Sequence, residues 1–129
     1  ITCKADLEGK SVSVQTGTTA EEFCMKNGYT VKAFAANADA EVALTVGKVD
    51  AWVIDDLTAA EMVASYNADH PDAPLVILDE AMTTEPYAFA FAMGNDALVD
   101  EINKILEGLL ADGTIAAIFE KYDAPYTAP

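Results

Sequence analysis

The chain has 129 residues, 52% of them hydrophobic, so it can form one domain with a buried core and lacks the composition of a disordered protein. Acidic residues outnumber basic residues 22 to 7, giving a net charge of −15, and this excludes a nucleic-acid partner because phosphate contacts need clustered Lys and Arg. The apolar runs all fall short of the roughly 20 residues that a membrane-spanning helix needs.

The first part of the chain alternates predicted strands with predicted helices. Strands are predicted over residues 11–15, 29–34, 49–54 and 75–78, and helices over residues 19–27, 38–46 and from Asp56 onward. Asn37 is expected to cap the second helix, and Gly28 and Gly47 to end the first two. The order β-α-β-α-β-α-β is typical of a parallel sheet with right-handed crossover connections.

The last third of the chain has a different pattern. Residues 84–93 alternate as an extended segment, and Pro86 favours an edge or a crossing position for it. A long helix is predicted over residues 97–111, and a short helix over residues 114–122. The long helix carries an amphipathic stripe of apolar residues with three-four spacing: Leu98, Ile102, Ile105, Leu106 and Leu109.

The stretch QTGTTAEEF, which begins at Gln15, forms a predicted turn between the first strand and the first helix. Ligands of open parallel sheets bind beyond the carboxyl ends of the strands, and the free N–H groups at a helix start favour an anion there. The sequence contains no arginine, so an anion must be held by backbone N–H groups, by hydroxyls such as those of Thr18 and Thr19, or by Lys. The purely structural interpretation is a capping box, in which Thr18 pairs with Glu21, or the next threonine with the next glutamate. The two interpretations are compatible, because one threonine can cap the helix while the other faces a ligand.

Two acids, Asp55 and Asp56, follow the third predicted strand at the same carboxyl edge. Asp55 can receive the ammonium of a ligand, whereas Asp56 can cap the helix that follows. The structural interpretation is that both acids serve as caps or remain solvated. An anion site at a helix start, together with an acid on the same edge, fits an α-amino acid.

Other residues with reactive side chains give weaker signals. The single histidine, His70, lies in a polar loop and is expected to be exposed. Cys3 and Cys24 can form one disulfide in an oxidising compartment, or Cys24 can be a small buried residue of the first helix. The sequence has no nucleophile elbow, P-loop, dinucleotide fingerprint or metal-spaced cluster, so no catalytic residue, metal or cofactor is predicted.

Three blocks of the sequence together carry a family resemblance: DLEGKSVSVQTGTTAEEF, VGKVDAWVIDDLTAA and TTEPYAFAFAMGNDALVDEINKILEGLLADGTIAAIFEKY. They resemble the amino-acid-type solute-binding proteins of ABC transporters, known as extracellular solute-binding family 3. The resemblance implies an α/β fold, the parallel-sheet lobe of a type II periplasmic-binding protein, with two C-terminal helices. It assigns residues 5–82 to the second lobe, 83–93 to a hinge strand that crosses between lobes, 94–123 to helices that pack on the first lobe, and 124–129 to a tail.

The resemblance also implies a function. Two lobes close over an amino acid or similar polar solute and deliver it to an ABC permease, in the periplasm or as a cell-surface lipoprotein. In the matching blocks, Gln15, Thr18 and Thr19 meet the ligand carboxylate, and Asp55 meets the α-ammonium. The part of the first lobe that would carry an Arg clamp and ligand-facing aromatic residues is not matched, so the chain is expected to hold half a site. The leading interpretation is a binding module and no enzyme. The alternatives are a cyclohexadienyl dehydratase built on the same fold and the sensing domain of a signalling receptor.

The apolar stripes of the two C-terminal helices are expected to be covered by another surface. Folding back on the chain's own sheet, exchange with a second copy, and docking to a separately supplied first lobe would each cover them. We favour a homodimer in which two copies exchange residues 84–122. Such domain swapping has a low cost, because a segment that extends away from one copy can pack against the other.

Overall fold

The structure, a computed structural model, describes residues 1–122, 124 and 126–128. The chain divides into two compact units, Ile1–Met82 and Thr83–Pro129. The first unit is an α/β lobe with a parallel sheet and the second contains two helices, which confirms the predicted fold class. The predicted segments 94–123 and 124–129 include positions 123, 125 and 129, which lie outside the described residues.

Strands and helices alternate through the first unit. After a short 3₁₀ turn at Lys4–Leu7, it contains β1 (Ser11–Gln15), α1 (Thr19–Lys26), β2 (Thr30–Phe34), α2 (Asn37–Thr45), β3 (Ala51–Trp52) and α3 (Asp56–Asp69). The second unit contains α4 (Asp96–Ala111) and α5 (Thr114–Lys121). The α1 helix ends as predicted just before Gly28, which adopts the left-handed conformation (φ +77°) that a residue without a Cβ tolerates.

The sheet has the strand order β2-β1-β3, and all its strands are parallel. β1 pairs with β2 along its full length. On the other side of β1, Val12 lies opposite Ala51 and Ser13 opposite Trp52. β1 is therefore the central strand, and the turn that follows it leaves the sheet between the ends of its two neighbours.

The core of the lobe is centred on β1. Val12, Ser13 and Val14 are completely buried, at 0% exposure, and Cys24 of α1 is buried beside the two valines. Burying a hydroxyl is costly unless it is hydrogen-bonded, and Ser13 Oγ donates to the Ala40 carbonyl of α2 over 2.9 Å. Both cysteines are free, and Cys24 is the small buried residue expected. Burial raises the pKa of the Cys24 thiol, which keeps it protonated at neutral pH.

Two element boundaries differ from the predictions. Asn37 does not cap α2 but is its first residue, and the N-cap position is held by Ala36, whose side chain cannot accept a hydrogen bond. β3 is limited to two residues instead of the predicted 49–54. The pairing with β1 nevertheless extends on both sides, because the N–H groups of Asp50 and Val53 donate to β1 carbonyls over 2.8 and 2.9 Å.

The predicted fourth strand over residues 75–78 is wrong. The side-chain amide of Asn67 in α3 accepts from the Leu75 N–H over 2.7 Å and donates to the Leu75 carbonyl over 2.9 Å, as a neighbouring strand would. Val76 and Ile77 remain 80% and 45% exposed. A four-residue apolar run is a weak strand signal on its own, because it needs an adjacent strand edge to pair with. Residues 84–93 form no strand either, and the hinge role of 83–93 stays a prediction.

The two helices of the second unit contact each other and carry apolar side chains on their surface. No described residue of α4 or α5 is fully buried. Exposure reaches 46% at Leu98, 51% at Ile105 and 47% at Ile118. The ring of Phe119 packs on that of Tyr126, with centroids 5.1 Å apart. None of the described helices is both long and apolar enough to cross a membrane.

The Asp50 carboxylate fastens the start of β1 at the amino edge of the sheet. Its Oδ2 accepts hydrogen bonds from the backbone N–H and from the hydroxyl of Ser11, each over 2.8 Å. These two bonds favour the ionised carboxylate and hold the pKa of Asp50 below its usual value. This contact could not be predicted from a local sequence pattern, because it joins residues 39 positions apart.

We expect Asp50→Asn to lower the thermal unfolding midpoint at neutral pH. Because the pKa of Asp50 is depressed in the folded state, its stabilising effect is present above the unfolded pKa of about 3.9 and is lost as the pH falls through the folded pKa. Thermal unfolding followed by circular dichroism should therefore show the midpoints of variant and parent converging at acidic pH. Asp72→Asn, which changes an exposed acid in a turn, is the control and should match the parent throughout. A difference between Asp50→Asn and the parent that does not depend on pH would contradict this assignment.

Candidate functional site

The predicted site residues lie at the carboxyl edge of the sheet. Gln15 is the last residue of β1, and the turn after it leads into α1, whose first residue is Thr19. Asp55 follows β3 and immediately precedes α3. Because β1 and β3 are parallel neighbours, the segments that follow them leave the sheet at the same edge. We call this edge, formed by residues 15–19 and Asp55, the rim.

Gln15 directs its side-chain amide toward β2. Its Nε2 donates to the carbonyl of Ala35, the residue directly after β2, over 3.2 Å. Since β2 and β3 flank β1 on opposite sides, this hydrogen bond engages Gln15 on the side away from Asp55. The ligand-binding role predicted for Gln15 stays a prediction, and the amide would have to leave Ala35 to fulfil it as a donor.

Thr18 is occupied as the N-cap of α1. Its Oγ1 accepts from the Glu21 N–H over 3.2 Å and donates to the Gln15 carbonyl over 2.7 Å. The Glu21 carboxylate in turn accepts from the Gly17 N–H over 2.6 Å. The capping box therefore uses Thr18 and Glu21, and its return bond reaches Gly17 instead of the N–H of Thr18 itself.

The side chain of Thr19 has no partner among the described residues. The residue is exposed, and its hydroxyl makes no hydrogen bond within the described part of the chain. The N–H groups of Thr18, Thr19 and Ala20 are also unpaired among these residues, as expected before the first full helical turn. Three N–H groups and one hydroxyl are thus available to an anion at the start of α1, where the helix dipole adds partial positive charge.

Of the two acids after β3, only Asp56 has a hydrogen-bonded carboxylate among the described residues. Asp56 Oδ1 accepts from the Leu57 N–H over 2.7 Å, within the first turn of α3. Asp55 occupies the N-cap position through its backbone, and its exposed carboxylate makes no hydrogen bond to the described residues. Asp55 therefore presents an unpaired negative charge on the rim, which is what an ammonium group requires.

Two clefts of the first unit contain neither Thr19 nor Asp55. A shallow cleft of about 360 Å³ is lined by Gly17, Thr18, Glu21, Glu22 and Met25. A second, of about 270 Å³, lies between α2 and α3, where the ring of the exposed His70 stacks on Tyr66 with centroids 4.1 Å apart. The described residues contain no group of three or more His, Cys, Asp or Glu side chains that could hold a metal ion. The first of these clefts thus includes Gly17 and Thr18 of the rim, whereas Thr19 and Asp55 line neither of the two.

Almost the whole chain can be aligned with known proteins, and the alignment covers about half of each of those proteins. The L-cystine-binding protein TcyJ of Escherichia coli is 31% identical over 119 residues, which cover 91% of this chain and 43% of that protein. The putative amino-acid ABC transporter-binding protein PatH of Vibrio harveyi is also 31% identical, over 91% of this chain and 47% of that protein. Over nearly its whole length the chain is thus similar to amino-acid ABC transporter-binding proteins. No protein-family model matches the chain, which spans about half the length of the curated relatives it matches.

Solved structures of amino-acid-binding proteins show the same likeness. An ancestral arginine-binding protein bound to arginine is 37% identical, with a TM-score of 0.68 over 95% of this chain and 54% of that one. An ancestral amino-acid-binding protein described as a precursor of cyclohexadienyl dehydratase is 30% identical, with a TM-score of 0.68. The family resemblance drawn from the three sequence blocks is thereby confirmed.

The sequence predicted only part of the capping arrangement at the start of α1. The T-x-x-E spacing of Thr18 and Glu21 indicated the cap but not that the glutamate carboxylate reaches back to Gly17. The choice between Thr18 and Thr19 as the cap was also open, because both are followed by a glutamate three residues later. The backbone conformation identifies Thr18 as the N-cap, since Thr18 is extended (φ −99°, ψ 163°) whereas Thr19 is the first helical residue.

We expect Thr18→Ala and Thr19→Ala to affect stability differently. Replacing the N-cap should lower the free energy of unfolding by about 1 kcal/mol, because Glu21 N–H loses its acceptor. Thr19→Ala should change it by less than about 0.5 kcal/mol, since the Thr19 hydroxyl bonds to nothing in the described residues. Urea denaturation followed by the fluorescence of the single tryptophan, Trp52, measures both values. Equal losses in the two variants would contradict this division between the threonines.

Proposed function

We propose that the chain is a ligand-binding lobe of an amino-acid receptor that serves an ABC importer. In this proposal the ligand carboxylate binds at the start of α1, near Gln15, Thr18 and Thr19, and the ligand α-ammonium binds Asp55. The observation that carries the proposal is the parallel adjacency of β1 and β3, through which both groups belong to one rim.

The charges of the rim are complementary to a zwitterion. Unpaired N–H groups and the Thr19 hydroxyl favour a carboxylate, and the unengaged Asp55 favours an ammonium. Thr18 contributes through its backbone N–H, because its hydroxyl is already used twice. Relatives named for L-cystine and arginine, and a structure solved with glutamine, support an amino acid as the ligand class.

The rim supplies one wall of a binding site. Receptors of this kind close two lobes over a ligand, and the chain spans about half the length of its relatives. We infer that the opposite wall, including an Arg clamp, belongs to the other half of a full-length receptor. The receptor would work outside the cytoplasm and pass its ligand to an ABC permease.

The proposed role is binding without catalysis. Solute-binding folds also support enzymes, but the neighbour related to cyclohexadienyl dehydratase is itself described as an amino-acid-binding protein. An enzyme would need a positioned acid or base on the rim, and Asp55 is the one candidate that the predictions offer. If the chain converted a dehydratase substrate to product, this proposal would be contradicted.

We expect the chain alone to bind amino acids with dissociation constants in the millimolar range. Loss of an Arg–carboxylate pair costs on the order of 2–5 kcal/mol, or ~30-fold and upward in affinity. Titrations with arginine, glutamine and cystine, followed by calorimetry and by backbone amide NMR, measure the affinity and the residues affected. A micromolar dissociation constant would contradict the half-site and show that the chain completes its own pocket.

Substitutions then test the assignment of Asp55. Asp55→Ala should weaken binding by about tenfold, since a charged hydrogen bond contributes about 1.5 kcal/mol or more. Asp69→Ala, at the opposite end of α3, and His70→Ala are controls that should leave the affinity unchanged. Equal weakening by the three substitutions would remove Asp55 from the site.

We also propose that two copies of the chain associate through residues 84–122. The described residues of α4 and α5 include exposed apolar side chains, and burying one such side chain contributes ~1.5–3 kcal/mol. Patches of this kind on a soluble protein mark an interaction surface. A net charge of −15 opposes association, but at physiological salt the repulsion is screened within about 8 Å.

Light scattering at physiological salt should give the mass of a dimer across micromolar concentrations. Ile105→Lys, which adds a charge to the exposed apolar face of α4, should shift the mass toward the monomer mass of 13.7 kDa. Lys104→Ile, one position away, is a control because it adds no charge to that face. A monomer at every concentration would contradict exchange between copies.

A further inference from the structure

We propose that the Asn27–Gly28 pair at the C-terminal end of α1 is a covalent modification site, at which the Asn27 amide is deamidated at a rate set by opening of the helix cap. The pair lies outside the rim, and the inference does not depend on the proposed function. The reaction needs only water as a co-reactant.

Asn27 is the single one of the five asparagines that is followed by glycine. In deamidation, the backbone nitrogen of the next residue attacks the side-chain carbonyl carbon of the asparagine. A glycine at that position has no Cβ to obstruct the approach and has a wide choice of backbone conformations. Both residues are exposed, so water reaches them. The pair therefore combines the sequence and the exposure that this chemistry requires.

Hydrogen bonds at the end of α1 hold the pair in one conformation. Gly28 is left-handed (φ +77°), and its N–H donates to the Met25 carbonyl over 3.3 Å. The Tyr29 N–H donates to the Cys24 carbonyl over 3.1 Å. These two bonds form a Schellman motif, which we call the closed cap.

The closed cap does not allow the reaction. The ring of the intermediate forms only when the Gly28 nitrogen turns to the side of the Asn27 Cβ. At the observed Asn27 ψ of 8°, the Gly28 nitrogen lies on the side of the Asn27 nitrogen instead. The Asn27 side chain is also engaged, because its Nδ2 donates to the Phe23 carbonyl over 2.8 Å. Deamidation therefore requires the cap to open, and helix ends open at a low cost in free energy.

In the open cap the conversion is balanced and involves no oxidation or reduction. The Gly28 nitrogen forms a bond to Asn27 Cγ and gives up its proton, and Nδ2 leaves as ammonia, so that a cyclic imide results. Water then adds to one of the two imide carbonyls, and the bond from that carbon to nitrogen breaks. The product is an aspartate or an isoaspartate at position 27, and the chain gains one negative charge.

The product cannot restore the closed cap. A carboxylate has no donor for the Phe23 carbonyl, and its charge meets the negative end of the α1 dipole. Isoaspartate also lengthens the backbone, which displaces the Gly28 and Tyr29 N–H groups from their acceptors. Phe23 and Tyr29 both pack against the core cluster that includes Cys24. Deamidation should therefore loosen α1 against the sheet.

Asp112–Gly113, at the end of α4, offers a matched comparison, because an aspartate before glycine forms the same ring with loss of water. That reaction needs the protonated carboxyl group. Hydrogen bonds from the side chain and the backbone N–H of Thr114 favour the ionised form and hold the pKa of Asp112 below its usual value. At neutral pH this pair should react more slowly than Asn27–Gly28.

The experiment incubates the full chain near neutral pH, with and without urea, and follows every asparagine and the Asp112–Gly113 pair by chromatography and mass spectrometry of peptides. We expect Asn27 to be deamidated faster than any other asparagine, with aspartate and isoaspartate as products. The rate in the folded chain should be about tenfold lower than in urea, which corresponds to a cap that opens at a cost of about 1.4 kcal/mol. Equal rates with and without urea, or faster deamidation of another asparagine, would overturn the proposal.

Amide hydrogen exchange tests the control by the cap. Exchange and ring closure both need the Gly28 N–H to be released, so the protection of this amide should match the ratio of the two deamidation rates. A Gly28 amide that exchanges as fast as in the unfolded chain would contradict this control.

The effect of the product on stability can be tested without waiting for the reaction. Asn27→Asp should lower the thermal unfolding midpoint, because it removes the donor to Phe23 and adds a charge at the end of α1. Asn103→Asp, which adds the same charge at an exposed position of α4, is the control and should have a smaller effect. Equal effects of the two substitutions would contradict the loosening of α1.

Discussion

The complete burial of β1 is the constraint on which the lobe depends. Val12, Ser13 and Val14 are fully buried and paired with β2, and the first two are also paired with β3. Each buried valine contributes about 1.5–3 kcal/mol. A shift of β1 by one residue would exchange its faces and break the bond from Ser13 to Ala40. The register of β1 is therefore fixed by the core. Because the turn at Gly17 follows this strand directly, the core also fixes where the start of α1 stands on the sheet edge.

The proposed function requires a strongly acidic protein to bind a carboxylate at the rim. The net charge of −15 acts over distance, and salt screens it beyond about 8 Å. The unpaired N–H groups at the start of α1 act at hydrogen-bond range, where screening is weak. In the proposed site these short-range donors hold the ligand carboxylate, and the surrounding acids disfavour ligands that carry a net negative charge. A zwitterion has the carboxylate that these donors need and an ammonium for Asp55.

Features set by short stretches of sequence were predictable, and features set by distant residues were not. Strand β1 was predicted with its observed bounds because its alternation and its β-branched residues are local signals, and the end of α1 because Gly28 marks it. The strand expected at 75–78 failed because the Asn67 side chain takes the place of a neighbouring strand at Leu75. At the rim, residue types indicated an amino-acid site, but backbone geometry was needed to tell the capping threonine from the unoccupied one.

The two units differ in what keeps them folded, and this difference bears on function. The first unit buries a core around β1 and contains every proposed ligand contact. In the second unit, α4 has 16 residues and α5 has 8, and none of their described residues is fully buried. Helices of this length are marginal in water unless an amphipathic face is packed, so they depend on a covering surface to a degree that the lobe does not. Loss of that surface would loosen α4 and α5 first, whereas the rim would keep the geometry that β1 imposes on it. Substitutions in the first unit can therefore change the proposed ligand contacts without changing the surface that packs on α4 and α5, and the reverse also holds.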